Sequence, residues 1–137
     1  MASTISVQDA LVYIMVTTSA VDTAMNDKEL ARIGRLTRFL PVFDGFDEER
    51  LIPVSRDCAA ILSEDEGLST MLALVRDAIP PRLHDTAYAL AVEVASADMH
   101  IQAEEIRFLQ MLRDRLDLDK LTCAGIERNV IARFRTL

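Results

Sequence analysis

Apolar residues recur along this chain at intervals of three and four, and no stretch shows the strict alternation of a half-buried strand. Residues 7 to 21 place Val7, Leu11, Ile14 and Val21 on one side, with Val12, Met15 and Val16 on the other. Asp22 is the only charge between Ala10 and Ala24, so this first helix is expected to be buried nearly all round. A second helix, over 27–40, carries Leu30, Ile33, Leu36 and Leu40 on one stripe, and "FLPVFDG" breaks the chain at Pro41 and Gly45. A third is expected over 47–62, with Pro53 as a kink or the mark of a late start. Ser63 and Glu66 have the spacing of a capping box for a fourth helix reaching Ile79. "IPP" ends that helix, and Pro81 suits the first position of a fifth, over 82–97, with Leu83, Ala87, Leu90, Val94 and Ala97 on one face. A sixth spans about 103–116 and a seventh about 119–135, the last with Ile126, Val130 and Phe134 inward. The expectation is an all-α, compact single domain over 1–137 with seven helices.

The pattern contains a repeat. Sliding residues 9–42 onto 85–118 pairs Asp9 with Asp85, Val16 with Val92, Asp22 with Asp98, Glu29 with Glu105, Leu36 with Leu112 and Leu40 with Leu116. Ile14/Leu90, Met25/Ile101, Leu30/Ile106 and Ile33/Leu109 also match in kind. Each copy reads as a buried helix, an acidic turn and an amphipathic helix. Two such αα-hairpins could bury their apolar faces against each other around a pseudo-twofold axis.

Composition narrows the function. Half of the residues are hydrophobic, 27% are charged, and the net charge is −7 with Lys and Arg interspersed among the acids. Phosphate affinity needs clustered basic residues, so nucleic acid and anionic membrane are not the expected partners. The first apolar run has no basic segment before it and ends at Asp22, short of the ~20 residues that span a bilayer. No membrane insertion is expected, and a cytoplasmic location is. Cys58 and Cys123 stand far apart with no His nearby in sequence, which reads as two reduced structural thiols. There is no Gly-rich phosphate loop, no nucleophile elbow and no zinc-spaced Cys/His set. No catalytic residue stands out, and the expectation is a protein that is not an enzyme.

The acidic turns allow two readings. Asn26 is a good N-cap with Glu29 three residues later, and Met25 with Leu30 occupies the staple positions. Ile101, Glu105 and Ile106 repeat that arrangement behind Gln102, a poorer cap. Helix initiation therefore accounts for Glu29 and Glu105. It accounts less well for Asp22 and Asp98, because a carboxylate at a helix C-terminus is electrostatically disfavoured. An Asx-turn would relieve it, and so would a hard cation held by carboxylate and carbonyl oxygens. The spacing is not that of an EF-hand, which needs a glycine between its acids and a longer loop. His100 could add a nitrogen ligand for a transition metal, although a lone loop histidine is more often solvated. His84, after the Pro-Pro break, reads as a surface residue at a helix start.

"AVDTAMNDKEL" and "SADMHIQAEEI" resemble the turn of the TerB (tellurite-resistance protein B) family, which reads A-D-G, several residues, then E. The match falls on Asp22, Glu29, Asp98 and Glu105, and the helical pattern resembles the family over roughly 7–135. Thr23 and Met99 stand where the family has glycine. The resemblance implies a compact all-α module of bacterial stress-response systems, without enzymatic activity, that takes a divalent cation such as Ca, Mn or Zn on those four acids. The competing expectation is an adaptor domain whose acids are helix caps only and whose groove docks a helix of a protein partner. A di-metal hydrolase on the four carboxylates is a distant third, since no base candidate accompanies them.

Overall fold

A computed structural model describes residues 5–20, 26–97 and 101–137. Among them run seven α-helices and no strand: α1 (Val7–Ala20), α2 (Asp27–Phe39), α3 (Leu51–Leu62), α4 (Gly67–Ala78), α5 (His84–Ser96), α6 (Ala103–Arg115) and α7 (Lys120–Arg133). Short 3₁₀ turns at Pro41–Phe43, Glu48–Arg50 and Pro81–Leu83 join or lead into them. The all-α single domain expected from the periodicity is present, as are both helix pairs of the repeat.

α1 is the centre of the core. Every residue from Ala10 to Ser19 is buried, and the helix touches α2, α3, α4, α5 and α6. Two of its buried hydroxyls find partners inside: the Thr18 hydroxyl donates to the Ile14 carbonyl at 2.8 Å, and Thr17 Oγ1 lies 3.5 Å from Cys58 Sγ. α5 is its counterpart in the second pair. It packs on α1 with Ala87, Tyr88, Leu90, Ala91, Val92 and Val94 buried, and carries α6 and α7 on its remaining sides. At about 1.5–3 kcal/mol for each fully buried Leu, Ile or Val, these two helices hold much of the hydrophobic stabilisation.

Two junctions differ from the sequence expectation. Pro53 does not kink α3. The 3₁₀ turn Glu48–Arg50 comes first and α3 starts at Leu51, so the proline falls in the first turn, where no intrahelical N–H bond is lost. The Ser63/Glu66 capping box does not form. Ser63 closes α3 instead, its hydroxyl donating to the Ala60 carbonyl at 2.7 Å. Glu66 sits at the start of α4 with φ 60° and no side-chain cap. The turn is too tight for a box: a Cβ on Gly67 would lie 2.3 Å from the Ile61 carbonyl oxygen.

The long connection after α2 is fastened to α1. The Gln8 amide donates to the Val42 and Asp44 carbonyls at 3.2 and 3.0 Å, and Arg50 pairs with Asp9 at 2.7 Å. Phe43 fills the core beneath.

Candidate functional site

Two of the four predicted acids fall on described helix starts, and both starts are capped. Asn26 holds an extended backbone, and its Oδ1 accepts the Glu29 N–H at 2.9 Å, so Glu29 occupies the third position of α2. Glu105 occupies the same position of α6, and its Oε1 accepts the Gln102 N–H at 2.9 Å. Its side chain is buried, unlike an ordinary first-turn acid. Helix initiation thus gives the Glu105 carboxylate a structural occupation and places Glu29 in a capped first turn. Asp22, Asp98 and His100, which the cation reading also needs, lie outside the described residues, as does the staple residue Met25. Among the described residues no three His, Cys, Asp or Glu side chains gather as a metal would require.

His84 is not a surface residue. It begins α5 as expected, but it is buried, with Nε2 2.9 Å from the Ile79 carbonyl and Nδ1 3.1 Å from the Leu116 carbonyl. Ile79 and Leu116 follow the last residues of α4 and α6, where carbonyl groups have no intrahelical donor. An N–H on each ring nitrogen would satisfy both ends at once, and the neutral ring has only one. The ring joins three helix termini, which nothing in a single helical stripe could foretell.

The thiols are packed, as expected. Cys58 and Cys123 are both buried and free. Burial pushes the Cys58 thiol up to about 11 despite its bond with Thr17, and burial also raises Cys123. Neither is poised as a thiolate nucleophile.

The surface feature that the helical stripes did not reveal lies between α6 and α7. Both helices pack on α5, yet they make little contact with each other, and a cleft of about 300 Å³ opens between them. Its walls are Ile106 and Leu109 from α6 and Ile131 from α7, with Ile101 at one end and Val92 in the floor. Ile101, Ile106 and Ile131 are 43%, 47% and 52% exposed. The floor also holds one polar cluster. The Tyr88 hydroxyl donates to Glu127 Oε2, and Arg113 Nη1 lies 3.4 Å from the same oxygen. Burial, and then the Glu127 carboxylate that accepts its proton, drive the Tyr88 hydroxyl far above its ordinary range. It is therefore a fixed donor rather than an acid or base. An apolar cleft with one held polar cluster can seat an apolar side chain and orient it.

The signal for this cleft was present but divided. Ile101 and Ile106 read as the staple of one helix start, while Ile131 stands one residue after Val130, outside the inward stripe of α7. Only the placement of α6 and α7 on α5 brings the three together.

No family model matches the chain, and neither the curated proteins nor the solved structures contain a match to it. Among the described residues no helix is long and apolar enough to cross a membrane.

Proposed function

We propose that this chain is a non-enzymatic interaction domain, and that the cleft between α6 and α7 takes the apolar side of an amphipathic helix from a partner protein. The observation that carries this reading is the gathering of three half-exposed isoleucines around one cleft whose floor is α5. Large apolar side chains scattered singly need no explanation, whereas a contiguous group marks a surface built to be covered. The geometry suits a helix lying along the opening: α6 and α7 flank α5 with little contact between them, and the cleft can take the apolar side chains of one helix face, which is the helix-in-groove mode of recognition. The capped glutamates agree with the adaptor reading, and the resemblance of the acidic turns to the TerB family supports placing such a module in a bacterial stress response.

The test is selection of peptides from a displayed random library on the wild-type chain, with counter-selection on an Ile106→Asp, Ile131→Asp double variant. Both positions are half exposed, so the variant is expected to keep its melting temperature. Enrichment of sequences with apolar residues at i, i+3 or i+4, and i+7, lost on the variant, is the expected result. No enrichment, or equal enrichment on both proteins, would refute the reading.

A further inference from the structure

The charge around the cleft names the chemistry of the occupant. Residues 101–137, which supply both walls, carry seven basic and six acidic side chains, whereas residues 1–100 carry eight and sixteen. In a chain of net charge −7, the cleft therefore sits on a part with a slight basic excess. The immediate surroundings sharpen this. Arg107 follows Ile106 on α6, and Arg128 precedes Ile131 by about one turn on α7; both are exposed. Arg113 stands in the lining itself, its contact with Glu127 no shorter than 3.4 Å. Arg135 follows α7 one turn after Ile131, also exposed. Asp114 is the acid beside Arg113, and Glu127 is engaged by Tyr88 in the floor.

Resting on the docking surface proposed above, we infer that the partner helix is acidic: leucine-like anchors on one face, with Glu or Asp flanking them toward the exposed Arg107 and Arg128, which stand outside the lining on α6 and α7. Arginine is suited to this role because its planar fork meets a carboxylate through two N–H groups at once. The charge pattern would also repel the chain's own acidic surface from the cleft, so a second copy is disfavoured as the occupant. Complementary rim charges chiefly raise the rate of encounter and reject wrong partners, and their effect is screened by salt.

Two synthetic helical peptides of about 14 residues, roughly 21 Å long, separate the possibilities. Both carry Leu at the same i, i+3 and i+7 positions; one has Glu at the flanking positions and the other Lys. The Glu peptide is expected to bind the wild-type chain about tenfold or more tightly than the Lys peptide at low salt, with the difference shrinking at high salt. The Arg107→Glu, Arg128→Glu double variant is expected to reverse the preference, and Ile131→Asp to weaken both peptides without changing the melting temperature. Equal affinity for the two peptides, lost in Ile131→Asp, would overturn the acidic partner and leave the docking surface standing. Binding of neither peptide, together with a failed library selection, would overturn both. Sedimentation of the unliganded chain as a dimer that Ile131→Asp dissociates would assign the cleft to a second copy and overturn the proposal.

Discussion

Gly67→Ala and Gly125→Ala should shift stability in opposite directions, although both place alanine where a helix has glycine. Alanine is favoured over glycine in helices by about 0.5–1 kcal/mol, chiefly because glycine loses more backbone freedom on folding. Gly125 lies in α7, and a Cβ there meets nothing within 4 Å, so only this gain applies. At Gly67, the first residue of α4, the new Cβ would lie 2.3 Å from the Ile61 carbonyl oxygen and 2.8 Å from Leu62 Cα and carbonyl carbon. Ordinary contact between such atoms is about 3.5 Å, so roughly 1 Å of movement is needed. The atoms in the way are backbone, held by the cap that ends α3, and cannot rotate aside. Overpacking of this kind costs about 1–3 kcal/mol, which exceeds the helix gain. The expected net change is a loss of about 1–2 kcal/mol, or roughly 3–8 °C in melting temperature for a chain of this size. Urea denaturation followed by circular dichroism at the helical minimum measures it, with an unchanged slope assigning the shift in midpoint to stability. A Gly67→Ala variant as stable as the wild type would refute the tight approach of α3 to α4. A destabilised Gly125→Ala would refute the open surroundings of that position.

The remaining predictions rest on burial and capping. Leu90, 4% exposed in α5, should cost about 2–5 kcal/mol when replaced by alanine, read from the same denaturation curves. Asn26→Ala, which removes the acceptor for the Glu29 N–H, should cost about 0.5–2 kcal/mol. Glu105→Ala removes the acceptor for the Gln102 N–H and should lower stability by about 0.5–2 kcal/mol equally with and without millimolar Ca²⁺, Mn²⁺ or Zn²⁺; a loss seen only with the ion present would make that carboxylate a ligand. Cys58 holds its proton more tightly in the folded chain, with its value raised from 9.0 to about 11. The folded state therefore keeps this contribution below pH 9 and loses it as pH rises from about 9 toward 11. Relative to Cys58→Ala, the wild type should lose stability across that window, and a constant difference between the two would contradict the raised value.

What the sequence made legible was whatever a single helix declares on its own. Ten consecutive buried residues in α1 follow from its lack of charge, and the buried face of α5 follows from Ala87, Leu90 and Val94 at helical spacing. The cap at Asn26 followed likewise, since an Asn-to-Glu spacing is local chemistry. Ser63 and Glu66 had the same kind of spacing and did not form a box. The difference lies in a third party: α4 must turn back against the end of α3, and that close approach leaves room only for glycine at 67. A motif read along the chain holds only where no other element competes for the same backbone.

His84 and the cleft isoleucines show the same limit from the other side. Each side chain is defined by an element distant in sequence: His84 by the carbonyl of Leu116, 32 residues away, and Ile106 by the wall that α7 places opposite it. In helical periodicity a residue is either on the inward stripe or off it. Ile131 is off it, because Val130 already points α7 toward α5, and Ile106 is off it because Glu105 and Phe108 take the buried positions of α6. Two off-stripe isoleucines on separate helices look like tolerated surface residues until α5 holds those helices a cleft apart. Such placement also explains why the groove can be left open without loss of the fold. The buried face of α7 is covered by α5 and that of α6 by α5, α1 and α4, so the core is complete without the isoleucines between them.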